Sequence, residues 1–389
     1  MSTAIYVHVP FCVKKCGYCD FLSTNADNTV IDDYFKALYR QIILEAENIN
    51  DGVSSIYIGG GTPSFVNEKY IVGLLDVVYN NFKVFKNAEI SIEANPFSST
   101  TDKLKTYYNS GINRISFGLQ STNDRLLKIL GRAHNYEDFL RSIDIALSAG
   151  FDNINADLIY SVPKQSLYDF KDSLMKVVKL KLTHISAYSL IIEPGTPFYE
   201  RYHSDEENRA KGGFSGALCS EDTDIKMMWE AHNILDKYGY KKYEISNYAF
   251  NNYKCRHNLA YWKRYDYFGF GIGAASLFKG KRFSVIRDLE KYIYLLNKED
   301  LDIRDIYENI EVLSKNDEIS EALILGLRLN DGIDITEINA RYKIDILNLY
   351  RNEIDKNITS GLLEKANNRL FLTDNGVNLA NLVMSDFIL

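Results

Sequence analysis

Cys12-Val13-Lys14-Lys15-Cys16-Gly17-Tyr18-Cys19 places three thiols in eight residues. A Cys-x3-Cys-x2-Cys run supplies three thiolates from one short loop. An iron–sulfur cluster of four irons ordinarily takes four cysteines. Three leave one iron free for a substrate or a cofactor. The same thiols also suit zinc, with His8 as a fourth ligand. Zinc loops, however, usually pair two Cys/His couples across a spacer, and no second couple exists here. Five cysteines in 389 residues are too few for a disulfide scaffold, so the cluster of three reads as metal or redox chemistry in a reducing compartment.

Further candidates follow in chain order. Gly59-Gly60-Gly61-Thr62-Pro63 offers a backbone that a ligand can approach closely. Glu93 in Ile92-Glu93-Ala94-Asn95-Pro96 is a carboxylate suited to hydroxyl groups. Gln120, Arg132 and Asp157 stand at strand ends or in the loops beyond them. His257-Asn258-Leu259-Ala260-Tyr261-Trp262 sets an imidazole, a common metal ligand, beside aromatic side chains, with Cys255 two residues before it as a competing thiolate. Gly269-Phe270-Gly271-Ile272-Gly273 lacks the strand–helix setting and the following acid of a dinucleotide loop, and reads as tight backbone.

The elements that must position these groups alternate. Strands are predicted near Ile5–Val9, Ser54–Ile58, Ala88–Ile92, Ile112–Phe117, Asn153–Leu158 and His184–Ile191, with amphipathic helices between them. Six strand–helix units predict an α/β fold with a parallel sheet, curved into a partial, laterally open (β/α)6 barrel. Five of the six prolines, Pro10, Pro63, Pro96, Pro163 and Pro194, fall just past strand ends, where barrels of this kind carry their sites. Residues 201–224 read as a polar loop or linker. A β-rich aromatic stretch, 240–286, follows. The last part predicts helices and then a hairpin around Asn367-Asn368, the order of a winged helix. The expected division is 1–215 for the barrel, 216–305 for the accessory region and 306–389 for the winged-helix-like domain.

Net charge is −7, which excludes a nucleic-acid binder held by bulk charge. Residues 311–389 hold 13 acidic and 8 basic side chains, so the C-terminal module lacks the basic face that DNA requires. No apolar run approaches the roughly 20 residues of a membrane span, and the first residues lack the basic start of a signal peptide. A cytoplasmic protein is expected.

The cysteine spacing resembles the radical S-adenosylmethionine superfamily. Taken in order, Tyr6 through Asp157 resemble the oxygen-independent coproporphyrinogen III oxidase family within it. The resemblance implies a [4Fe-4S] cluster on Cys12, Cys16 and Cys19, with S-adenosylmethionine on Tyr6, Tyr18, Gly60, Gly61, Thr62, Glu93, Gln120, Arg132 and Asp157. The oxidases carry a further cysteine two residues after the third, where this chain has Phe21, and a long extension before the first strand. Both departures, and the HNxxYW segment, resemble the heme chaperone branch. That implies heme as a ligand with His257 as an axial candidate, an unidentified heme-acceptor protein, and an electron donor such as flavodoxin or ferredoxin. It leaves room for a homodimer. The alternative it implies is oxidative decarboxylation of coproporphyrinogen III.

Overall fold

The computed structural model describes residues 2–49, 51–213 and 216–389. Six parallel strands form its centre: β1 (Ser2–Val9), β2 (Gly52–Gly60), β3 (Val84–Ala94), β4 (Arg114–Gln120), β5 (Ile154–Tyr160) and β6 (His184–Ser189). They neighbour one another in chain order, with a helix between each strand and the next. The sheet does not close. Beyond β6 lie β7 (Lys241–Lys242) and β8 (Asn247–Ala249). Beyond β1 lie β9 (Tyr267–Phe270), β10 (Ala275–Phe278), β11 (Lys281–Val285) and β12 (Tyr307–Val312). The result is a 12-stranded sheet whose two edges are both built from strands that follow the six central ones, within residues 241–312. The fold is the partial barrel that the strand–helix alternation predicts.

Helices cover the outer face because their apolar stripes have nowhere else to go. The helix Asn28–Glu45 buries Tyr34, Phe35, Leu38 and Ile42 against the sheet, and the helix Leu167–Val178 buries Phe170, Leu174 and Val177. Their starts are fixed by side-chain caps. The Asp27 carboxylate accepts from the backbone N–H of Thr29 and Val30, and Ser166 forms a reciprocal capping box with Asp169.

The polar stretch 201–224 departs from the expected linker. A helix spans Pro197–Ala210, started by Pro197 and by the Thr196 hydroxyl accepting from Tyr199 N–H at 3.1 Å, and another begins at Glu221. Only Phe198 and Tyr202 of the first helix are buried. Its remaining face is solvated, so its composition reads as loop although its backbone is helical. The boundary expected at residue 215 lies outside the described residues.

A second core, including Leu323, Ile346, Leu370, Val383 and Phe387, forms the C-terminal module. Helices Lys315–Gly326, Ile335–Tyr342 and Arg351–Thr359 precede a hairpin of β14 (Leu363–Ala366) and β15 (Arg369–Leu372), with the short β13 (Ile333–Asp334) against β15. Asn367 and Asn368 turn the hairpin at φ 49° and 62°, the left-handed conformations that a two-residue turn demands. Among the described residues, no helix is long and apolar enough to cross a membrane.

Candidate functional site: a cysteine-lined cleft in a polar barrel

Barrel interiors of this kind are usually filled with branched apolar side chains. This one is polar. Along each strand alternate residues point inward, and those positions read Ser55 and Tyr57 on β2, Glu89, Ser91 and Glu93 on β3, Arg114 and Ser116 on β4, Asn155 and Asp157 on β5, and His184, Ser186 and Tyr188 on β6. Above them a cleft of about 520 Å³ opens at the strand ends. Its lining includes Cys12, Cys16, Cys19, Tyr18, Gly60, Gly61, Thr62, Glu93, Gln120, Arg132 and Asp157. Eleven of the thirteen residues singled out in the sequence therefore meet in one cavity, although they span 146 positions of the chain.

The cysteine loop is held by its backbone. Cys12 N–H donates to Thr24 O at 3.0 Å, Gly17 N–H to Leu130 O at 3.2 Å, and Phe198 N–H to Gly17 O at 2.9 Å. The glycine segment is zipped to the loop's root, with Gly61 N–H donating to Val9 O and Thr62 N–H to Phe11 O. Gly61 has no room for a side chain, since a Cβ would sit 2.8 Å from Phe11 O and 3.1 Å from Cys12 Sγ. Gly60 adopts φ 113°, which L-residues avoid. The Cys12 thiol meets the Thr62 hydroxyl at 3.3 Å, and Arg132 reaches Cys16 Sγ at 3.6 Å while donating to Gly118 O at 2.7 Å. Burial raises the pKa of Cys12 and Cys19. The thiolate form therefore needs a cation or metal to stabilise it.

Three thiols of one loop line the cleft, a set that suits a four-iron cluster with one iron left open. Among the described residues, no three Cys, His, Asp or Glu side chains converge on a point where one metal ion would sit. Thiolates of a four-iron cluster bind separate irons and stand farther apart. The zinc alternative also loses its fourth ligand. His8 is buried, with Nδ1 on the Tyr6 hydroxyl at 3.0 Å and Nε2 on Leu22 O at 2.8 Å.

Glu93 and Asp157 form the acidic wall. Tyr57 donates its hydroxyl to Glu93 Oε1 at 2.9 Å and Gly60 N–H donates to Oε2 at 3.1 Å. Burial, reinforced by Asp157, lifts Glu93 to about 7 despite those two donors. Burial also raises Asp157, which accepts from Asn155 at 2.8 Å and Ser116 at 3.2 Å. Gln120 sits at φ 69° at the end of β4, and its Oε1 accepts from the Tyr188 hydroxyl at 3.4 Å. A non-glycine residue at positive φ costs about 1–2 kcal/mol, a cost often met at binding sites.

Two predicted residues stand outside the cleft. Tyr6 lies beneath it, its hydroxyl on His8 Nδ1. His257, expected as a heme ligand, is the second. It lies on a helix, Arg256–Trp262, packed behind the lumen, and is 1% exposed. Nδ1 meets the Ser55 hydroxyl at 3.1 Å, Nε2 meets the Tyr261 hydroxyl at 3.0 Å, and the ring stacks on Tyr57 at 5.1 Å between centroids. Neither nitrogen has a lone pair free for iron in this arrangement. Burial, with Arg114 nearby, lowers its pKa to about 3, so it stays neutral. Cys255 is wholly buried, and burial pushes its thiol up to about 12. Of the HNxxYW segment it is Asn258 that lines the cleft. Gly271 of the glycine-rich run packs against Tyr34 and the His8 carbonyl, as tight backbone.

Tyr57, Glu89, Arg114 and Asn155 were not singled out from the sequence. The signal was present as polar residues at alternate positions of otherwise apolar strands.

A cysteine loop after the first strand of an open six-stranded barrel defines a radical S-adenosylmethionine protein. Residues 6–177 match the family model of the Radical SAM superfamily, and residues 313–379 match that of the HemN C-terminal domain. The fold is similar to that of coproporphyrinogen III oxidase (HemN) from Escherichia coli, with a TM-score of 0.84 at 22% identity, over 100% of this chain and 90% of that one. The chain is 34% identical to the heme chaperone HemW of Lactococcus lactis, covering 99% of this chain and 97% of that one. It is 32% identical to the HemW of Bacillus subtilis, with 98% of each covered. It belongs to the HemW family of radical S-adenosylmethionine proteins.

Proposed function

We propose that this protein is a heme chaperone that binds a [4Fe-4S] cluster, S-adenosylmethionine and heme, and passes heme to an acceptor protein. The observation that carries the reading is the convergence of Cys12, Cys16, Cys19, Arg132, Gln120, Glu93 and Asp157 on one cleft in a chain whose full-length relatives are heme chaperones. Cys12, Cys16 and Cys19 would hold three irons. The Thr62 hydroxyl and the Arg132 guanidinium beside the thiols would steady their negative charge. Glu93 and Asp157 would accept hydrogen bonds from ribose hydroxyls, and Gly60 and Gly61 would let the amino-acid end of the cofactor lie against backbone. When bound, the cluster supplies an electron that can cleave the sulfonium. Phe21 is 62% exposed at the position of the oxidases' additional cysteine, which speaks for heme handling over porphyrinogen decarboxylation.

The test is anaerobic reconstitution of the full chain, followed in parallel by a heme titration and an assay with coproporphyrinogen III. A Soret band without protoporphyrinogen formation is expected. Protoporphyrinogen formation would overturn the chaperone reading in favour of the oxidase.

A further inference from the structure

Arg114 begins β4 with its side chain inside the barrel, and it is 2% exposed. Its Nε and Nη1 are buried and have no hydrogen-bond partner among the described residues. The three carboxylates that share the lumen are committed elsewhere. Glu89 accepts from the backbone N–H of Arg256 at 2.9 Å and of His257 at 3.2 Å, and from Cys255 Sγ at 3.4 Å. Glu93 accepts from Tyr57 and Gly60, and Asp157 from Asn155 and Ser116. A buried guanidinium without acceptors is costly, and Arg114 lines the cleft rather than a sealed void. Asn258 lines the same cleft.

Arg114 is four residues before Gly118, whose carbonyl holds Arg132 beside Cys16. At about 3.3 Å per strand residue, it lies about 13 Å below that layer. Arg114 is close enough to Glu89, Glu93 and Asp157 for their charges to act on one another, but none of the three gives it a hydrogen bond. Guanidinium donors in a planar fork favour a planar, two-oxygen acceptor.

We propose that Arg114, with Asn258, forms a carboxylate-binding subsite on the floor of the lumen, distinct from the cysteine end of the cleft. The carboxylate has two sources of the same chemistry: a propionate arm of a tetrapyrrole entering edge-on, or a free small carboxylic acid. The first source rests on the heme reading above; the subsite itself does not.

Crystals of the full chain soaked in 3-bromopropionate test the subsite directly. A bromine anomalous peak beside the Arg114 guanidinium, absent from Arg114→Met crystals, is expected. Water alone against Arg114, or a peak that persists in the variant, overturns the proposal. The wild-type soak decides even where the variant does not fold. Titration with heme and with heme dimethyl ester then separates the sources. For a propionate, the ester binds wild type about 10- to 150-fold more weakly than heme, the loss of a charge-assisted hydrogen bond. Arg114→Met then binds both equally. Equal binding of the two by wild type, with a bromine peak present, assigns the subsite to a free carboxylate. Absence of any Soret change in wild type would remove the heme reading, while the soak still decides the subsite.

Discussion

The cysteine loop and the helix Arg256–Trp262 carry the two most conspicuous motifs of the chain, yet they are held in opposite ways. The loop is pinned through its backbone and leaves its thiols facing the cleft. The helix is pinned through its side chains and both its ends. Glu89 accepts from its first N–H groups, which offsets the positive end of the helix. Arg341 of the C-terminal module donates to the Lys263 carbonyl at 3.0 Å and to the Arg264 carbonyl at 2.5 Å. His257 and Tyr261 are consumed in internal contacts. A group already satisfied is part of the scaffold; a group left facing a cavity is available to a ligand. The same rarity in sequence thus marks a ligand set in one place and a keystone in the other.

The sharpest way to break the comparison is at the loop. Cys16→Ser is expected to lose the cluster altogether, because three thiolates leave no spare ligand. Iron and acid-labile sulfide after anaerobic reconstitution measure it. Cys219→Ser should retain wild-type content, since Cys219 is bonded to the Ser161 hydroxyl at 3.3 Å and does not line the cleft. Full content in Cys16→Ser would cancel the loop's assignment.

At the helix the corresponding change is Glu89→Ala. It removes a carboxylate that is 3% exposed and strands two backbone donors. Each unsatisfied buried group costs about 1–3 kcal/mol, so a loss of about 3 kcal/mol in urea unfolding is expected. A loss below about 0.5 kcal/mol would mean that the helix is held by packing alone.

The contrast explains how far the sequence could be read. Strand–helix alternation and the prolines after strands are local signals, so the barrel and the mouth of its cleft were legible. Cys12, Glu93 and Arg132 stand at strand ends or in loops, where chemistry-bearing residues face a site. The polar lumen needed another kind of reading. Arg114 and Asn155 belong to a polar–apolar alternation, and nothing local tells a residue that faces a polar lumen from one that faces solvent. The surroundings of His257 were illegible for a related reason: its partners Ser55 and Tyr57 lie about 200 positions away. The 201–210 segment failed because a mostly solvated helix has the composition of a loop.

The acidic wall sharpens the comparison through pH. Glu93 ordinarily titrates near 4.5 and stands at about 7, raised first by burial and then by Asp157. Above pH 7 the folded protein holds a buried charge that the unfolded chain solvates. As pH falls through 7 the folded state takes up a proton before the unfolded one does, so this destabilisation fades and is gone near 4.5. The displacement corresponds to about 3 kcal/mol at most. Glu93→Gln should therefore raise the melting temperature at pH 8, with the gain vanishing towards pH 4.5. The same variant should bind S-adenosylmethionine about tenfold or more weakly at pH 8, where the charged acceptor is lost. Arg132→Ala should weaken it comparably. A pH-independent gain in stability would show that Glu93 is solvated, and unchanged binding in both variants would remove them from the cofactor site.

The smallest effect is expected at His257, where the two motifs come closest to exchanging roles. Its ring stacks on Tyr57, and Tyr57 donates to Glu93. Replacing it by glutamine keeps a hydrogen-bonding group beside Ser55 and Tyr261 but removes the stacked ring and its imidazole nitrogens. As scaffold, His257→Gln should leave the Soret maximum of the heme complex unchanged and loosen S-adenosylmethionine binding by a few-fold, transmitted through Tyr57 to Glu93. As an axial ligand it would behave otherwise: the Soret maximum would shift and cofactor affinity would stay the same. That second outcome requires the helix to open from the lumen when heme binds, releasing Nε2 from Tyr261. Heme-dependent exposure of the 256–262 amides to hydrogen exchange would then accompany the shift, and its absence with an unshifted Soret band would leave His257 as the keystone that its two hydrogen bonds make it.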